Sequence, residues 1–326
     1  MSGAWPITLD DVRAARERLA PYLDATPLRQ YAALDAAVGH GITVPVKHEN
    51  HQPTNSFKAR NGLSAMTAFT EAELQRGVLA ATRGNHGQGV ALAGRLLGVP
   101  VTICVPHGNN PEKNEAMVGL GATLIEDGCD YDETLTVAEK LMHERGLTMV
   151  HSTNDPRVIA GAGTITLEIM EQEPELDAIV IAVGGGSQTV GALTVLGELR
   201  PDAKVYAVQA DGASAIYQSW KAGKPLTTPT CDTFADGIAT RSTYEMTFPT
   251  LQEGLAGFVT VSDAEIAEAM RLLMRTTHNL VEPAGAAGLA GLFKLREELA
   301  GKKVVVILTG GNVDAATLRR VVEGQV

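Results

Sequence analysis

One lysine in this chain stands where local rules disfavour it. The stretch Lys47-His48-Glu49-Asn50-His51-Gln52-Pro53-Thr54-Asn55-Ser56-Phe57-Lys58-Ala59-Arg60 leaves an apolar strand expected over 42–46. It passes a polar turn at 52–55 and enters a helix expected to open at Ser56 and run through Leu63, Met66 and Phe69. With Thr54 or Asn55 as N-cap, Lys58 falls in the first helical turn, where free N–H groups and the positive end of the dipole repel a cation. An amine destabilised as ammonium is more often free base, the form a Schiff-base nucleophile needs. Taken alone, Lys58 also fits a solvated helix face.

Four further segments could do chemistry beside it. Thr82-Arg83-Gly84-Asn85-His86-Gly87-Gln88-Gly89 lies between an expected strand and helix, so its N–H groups converge where an anion is favoured. A carboxylate cradle and a plain glycine-rich turn, with His86 satisfied locally, both fit that pattern. Gly184-Gly185-Gly186-Ser187 follows an apolar strand and opens a helix, as a phosphate loop would. It is not a Walker loop, and Thr189 stands where a dinucleotide fingerprint needs its third glycine; Asp211 after the next strand keeps a nucleotide reading open. Thr309-Gly310-Gly311-Asn312 ends an apolar strand with a hydroxyl that can hydrogen-bond a heteroaromatic nitrogen without protonating it. Glu282-Pro283-Ala284-Gly285-Ala286-Ala287-Gly288 fits a small-residue helix start equally well.

The elements that must position these segments alternate. Strands expected at 78–81, 101–105 and 122–125 are separated by helices at 90–97 and 114–120, after a leading helix at 9–23 and an extended Thr26-Pro27-Leu28. A second series follows at 178–183, 190–199, 205–209, 263–276 and 303–308. Such alternation implies an α/β fold with parallel sheets covered on both faces. The 326 residues, 44% hydrophobic, suffice for one compact enzyme-sized body. A formal charge of −11 argues against nucleic-acid or anionic-membrane partners and leaves a small molecule as the expected partner. Cys104, Cys129 and Cys231 are widely spaced, which suggests neither a disulfide framework nor zinc and fits a reducing cytoplasm. Residues 1–12 carry no secretory pattern, and no apolar run reaches about 18 residues.

The Lys58 segment resembles the cofactor-lysine segment of the fold-type II pyridoxal-phosphate enzymes, in particular the serine/threonine dehydratase and serine racemase family, whose usual form ends Thr-Gly-Ser-Phe-Lys-x-Arg-Gly. The other segments match that family in order, so the resemblance covers nearly the whole chain. It implies a tryptophan synthase β-like fold, with 77–150 as a small domain and 1–76 plus 151–326 as the large cofactor-binding domain. It implies pyridoxal 5′-phosphate on Lys58, contacted by Phe57, Asn85, Gly184, Gly185, Gly186, Ser187, Gly237 of the Phe234–Ala239 match, and Thr309. The substrate would meet Ser56, Thr82, Arg83, Gly84, Asn85 and His86. In metal-activated racemases two acidic ligands stand where this chain has Gln209 and Ala215, so that metal site is not expected.

The expected reaction is dehydration of a 3-hydroxy-L-amino acid of threonine or serine type to a 2-oxo acid and ammonia. Arg83 replaces the residue that in racemases is a serine acting as acid and base, and guanidinium shuttles protons poorly. Arg83, Asn55 in place of the usual glycine, and Thr134 where racemases often carry arginine suggest a remodelled pocket for phenylserine or 3-hydroxyaspartate. Racemase, nicotinamide oxidoreductase and two-lobed solute-binding protein are the other readings. The chain ends soon after Asn312, so no C-terminal regulatory domain is expected, and dimerisation is a family expectation.

Overall fold

A computed structural model describes residues 5–326; of the N-terminal stretch discussed above, residues 1–4 lie outside it. Among the described residues ten strands form two sheets: β1 Leu28–Gln30, β2 Pro45–His48, β3 Val78–Ala81, β4 Val101–Val105, β5 Thr123–Glu126, β6 Thr148–Met149, β7 Ala178–Ala182, β8 Lys204–Ala210, β9 Gly257–Val261 and β10 Val304–Leu308. The larger sheet has the order β1-β2-β10-β7-β8-β9 and the smaller β5-β4-β3-β6. Both sheets are parallel as expected, except that the larger one is made mixed by the antiparallel edge pairing of β1 with β2. Only three residues of the extended Thr26-Pro27-Leu28 connection and its sequel form that edge strand.

Both faces of the larger sheet are buried, which is why its strands read as continuous apolar runs. Along β7, Ala178 and Val180 enter one core with Val208, Leu289 and Leu292, while Ile179 and Ile181 enter the other with Val190 and Ala207. In the smaller sheet, Val78, Ala80 and Ile103 pack with Leu63, Met66 and Val90, and Leu79 and Cys104 face Ala138 on the reverse side. No helix among the described residues is long and apolar enough to cross a membrane.

Several boundaries differ from expectation for identifiable reasons. The strand expected at 42–46 sits later, at Pro45–His48, because β10 pairs with Val46, Lys47 and His48, whereas Thr43 makes only an isolated bridge to Lys303. The lysine helix is Lys58–Met66 with Phe57 as N-cap and no side-chain cap, not a helix capped by Thr54 or Asn55. Ser56 bridges to Gly310 and the Phe57 N–H donates to the Thr309 carbonyl, so the chain stays tied to the end of β10 until Phe57. The glycine-rich segment is helical from Asn85, five residues before the expected start. Its glycines are there for close contact: a Cβ on Gly62 would lie 2.8 Å from the Val90 nitrogen, and one on Gly89 would run into the Lys58 carbonyl. The helices Lys58–Met66 and Asn85–Leu97 therefore cross backbone to backbone. The helices Tyr131–Arg145 and Pro156–Gln172 were not anticipated.

Candidate active site

The C-terminal ends of β3, β7 and β10 and the start of the lysine helix converge on one cleft of about 150 Å³. Lys58 is the first residue of its helix, with no acidic residue in the first turn. Its ammonium stands 4.8 Å over the Phe57 ring and, among the described residues, hydrogen-bonds only the Ser152 carbonyl, at 3.5 Å. Burial lowers the amine to about 8, with Glu282 pulling the other way. Part of this lysine is therefore free base near neutral pH, and it has no strong partner to displace.

Facing it is the loop after β7. A Cβ on Gly184 would stand 2.8 Å from the Gly237 carbonyl, one on Gly185 would overlap the Thr153 hydroxyl, and Gly186 has φ +94°. Gly186 caps the helix Ser187–Leu199 without a side-chain bond, so the first-turn N–H groups face the cleft. The Gln188 amide nitrogen and the Thr189 hydroxyl are buried there without a partner among the described residues. A buried donor left unmade is costly, and an anion seated at this helix end would satisfy both.

On the β3 side, the Thr82 hydroxyl accepts the Gly84 and Gly87 N–H groups at 2.9 and 3.3 Å and shapes the turn into the Asn85–Leu97 helix. Gly84 leaves room for Lys113, whose Cδ would be 2.6 Å from an added Cβ. Asn85 donates to Glu282 Oε1 at 2.7 Å and accepts from Asn312 at 2.8 Å, which fixes its amide orientation. His86 Nε2 stands 2.9 Å from the Val150 carbonyl, and burial, then Lys58, lower the ring to about 3, so it stays neutral. Thr309 lines the cleft at the end of β10.

Of the residues singled out from sequence, Phe57, Lys58, Thr82, Arg83, Gly84, Asn85, His86, Gly184, Gly185, Gly186, Ser187, Gly237 and Thr309 all line this cleft. Ser56 does not; it is buried behind, its hydroxyl without a partner. Two of the three positions read as a remodelled pocket are not in it. Asn55 is exposed with φ +51°, a left-handed turn that asparagine tolerates and glycine prefers. Thr134 is fully buried, its hydroxyl on the Asp127 and Asp130 carbonyls. Gln209 spends its amide oxygen on the Tyr217 N–H at 3.0 Å.

Sequence reasoning named the Glu282–Gly288 segment but gave no role to Glu282, Lys113 or Asp236 in the cleft. Burial raises Glu282 to about 7 against the opposing charge of Lys113, and its Oε2 has no partner among the described residues. Lys113 bonds Asp236 at 2.5 Å. Glu282 is masked in sequence because an acidic residue before a helix-opening proline looks like ordinary capping. Lys113, a cation in the first turn of the helix Pro111–Gly119, carries the same local anomaly as Lys58 and could have been found by it.

The model of one family, described as "Pyridoxal-phosphate dependent enzyme", matches residues 19–310. The chain belongs to this family, with the fold-type II architecture, and pyridoxal phosphate is the family's cofactor. It is 35% identical over 316 residues to an L-threonine ammonia-lyase of Thermotoga maritima, covering 97% of this chain and 78% of that protein. It is 36% identical over 314 residues to an L-threo-3-hydroxyaspartate ammonia-lyase of a Pseudomonas species, covering 96% and 98%. The structure of maize serine racemase superposes with a TM-score of 0.92 at 30% identity, covering 98% of each chain. Membership sets aside the nicotinamide and solute-binding readings; Asp211 is exposed and does not line the cleft. The cleft suits the cofactor: a lysine of lowered pKa, a glycine loop that excludes Cβ atoms, and two orphaned polar groups at a helix N-terminus.

Proposed function

We propose that this protein is a pyridoxal-phosphate-dependent ammonia-lyase that dehydrates a 3-hydroxy-L-amino acid to a 2-oxo acid and ammonia. The observation that carries the reading is Lys58, a half-buried amine lowered to about 8 with one long hydrogen bond, in a cleft it shares with an anion-ready helix end.

On this reading Lys58 would hold the cofactor covalently. Gly184, Gly185, Gly186 and Ser187 would hold its phosphate together with Gln188 and Thr189, Thr309 and Asn85 would meet the ring and its oxygen, and Phe57 and Gly237 would line it. Pyridoxal phosphate, when bound, draws electrons from the bonds at the substrate α-carbon and acidifies the α-proton. Thr82, Gly84, Asn85 and His86 hold the α-carboxylate at the N-terminus of the Asn85–Leu97 helix, where first-turn N–H groups are free. Lys58 Nζ would take the α-proton; its lowered pKa keeps a free-base fraction available for that step. The β-hydroxyl leaves with a proton as water, and the unsaturated amine set free is hydrolysed to the 2-oxo acid and ammonia.

Racemisation needs a second proton carrier on the face away from Lys58, and Arg83 is not one. The smaller unit on this reading is 77–150, a division supported by all four strands of the smaller sheet falling between Val78 and Met149. A cytoplasmic homodimer is part of the same proposal, and sedimentation at several concentrations checks its mass.

The testing experiment is 2-oxo acid release from the separate stereoisomers of serine, threonine, 3-hydroxyaspartate and phenylserine. Oxo acid from at least one L-isomer is expected. Enantiomer without oxo acid would overturn the lyase assignment in favour of a racemase.

A further inference from the structure

A second chamber of about 260 Å³ opens beside the cleft, sharing Arg83, Tyr131, Thr240 and Tyr244 with it and adding Asp130 and Arg241. Its described lining carries two guanidinium groups and one carboxylate. Arg241 is held by Asp130 at 3.2 Å, whereas Arg83, which is exposed, makes no ion pair or hydrogen bond among the described residues. In a chain of formal charge −11, an excess guanidinium at the mouth of the cleft is a local reversal of sign that favours entry of an anion.

The α-carboxylate already has its own anion site, the backbone N–H groups opening the Asn85–Leu97 helix. Arg83 lies two residues before Asn85 and lines both spaces, so it offers a separate partner to whatever the β-carbon carries towards the outer chamber. An aryl group there could stack on Tyr131 or Tyr244, yet it would shield the guanidinium from water without neutralising it. A carboxylate neutralises it and matches its fork of donors.

We propose that the outer chamber receives a second carboxylate on the substrate β-carbon, with Arg83 as its principal ligand. The substrate class is then a 3-hydroxy amino dicarboxylate of the 3-hydroxyaspartate type. The inference rests on the ammonia-lyase reading and narrows it. The balance is unchanged: water is lost at the β-carbon and regained on hydrolysis, so amino dicarboxylate becomes 2-oxo dicarboxylate and ammonia.

The test compares wild-type, Arg83→Ala and Arg83→Lys holoenzymes, each confirmed yellow, for kcat/KM on L-threo-3-hydroxyaspartate and on L-serine. Succinate binding is measured alongside by calorimetry. Wild type should favour hydroxyaspartate over serine and phenylserine. Arg83→Ala should cut the hydroxyaspartate-to-serine ratio roughly 10- to 100-fold, mainly through KM, and weaken succinate by a similar factor. Arg83→Lys should recover part of both. An unchanged ratio in Arg83→Ala, or wild-type preference for serine, threonine or phenylserine, overturns the acidic-substrate assignment and leaves the lyase reading standing. A yellow wild type that releases oxo acid from none of these overturns both.

Discussion

Lys58 and Arg60 are two residues apart on one helix and have opposite electrostatic fates. Arg60 is fully buried in a closed network, bonding Glu49 at 2.8 and 2.9 Å and Glu168 at 2.7 and 2.8 Å. Lys47 adds a bond to Glu168 at 2.8 Å. Burial opposes the Arg60 charge, but Glu49 and Glu168 hold its guanidinium above its usual range; Arg60 and Lys47, against burial, hold Glu168 below the usual carboxylate range. In the cleft, by contrast, Lys58 is lowered to about 8 and Glu282 raised to about 7, each mainly by burial with incomplete partnering. The scaffold holds its charges by satisfying them. The cleft keeps its own available by leaving them short of partners, which is what proton transfer and covalent attachment require.

The largest expected effect separates those two fates. Lys58→Ala should abolish the yellow cofactor attachment and lower turnover by at least about a thousandfold, with little loss of stability. Arg60→Met should leave Glu49 and Glu168 under-compensated and cost about 3–5 kcal/mol in a denaturant midpoint experiment. That deficit should shrink as pH falls. Protonation at low pH removes the under-compensated carboxylate charge that causes it. A yellow, active Lys58→Ala, or an Arg60→Met as stable as wild type, would break the comparison.

A smaller effect sharpens it. Attachment of pyridoxal phosphate to the apoprotein, followed by its yellow absorbance, should speed up with pH through a midpoint near 8. An ordinary lysine would give a midpoint near 10.5, the value that would show Lys58 to be unperturbed.

The smallest effect is at the end of the cleft formed by the start of the Ser187–Leu199 helix. Thr189→Val removes a buried hydroxyl that has no protein partner, so the apoprotein should be as stable or slightly more so. The same change should weaken cofactor affinity about 3- to 10-fold in equilibrium dialysis if the hydroxyl meets the phosphate. Equal affinity would remove Thr189 from the site.

Much of the cleft was legible because each motif is local. A strand end, a few small or hydroxyl residues and a helix start within eight positions are enough to place a lysine or an anion-binding turn. Glu282 and the Lys113–Asp236 pair were not legible as site residues, because their meaning lies in contacts across 100 or more positions. Asn55 and Thr134 were misread for a related reason: a departure from a family pattern can answer a backbone requirement, a positive φ in one and buried carbonyls in the other.

The sequence by itself determined the alternating α/β architecture and singled out Lys58 and the glycine-rich strand-to-helix turns that line the cleft, since periodicity and helix-end chemistry depend on neighbours a few residues apart. Only the tertiary structure decided that Arg60 is sealed between Glu49 and Glu168 while Lys58 opens into the cleft. It also decided that Arg83 alone of the three departures faces the chamber. Burial and partnering are set by which distant segments pack against a side chain, and those set its charge state.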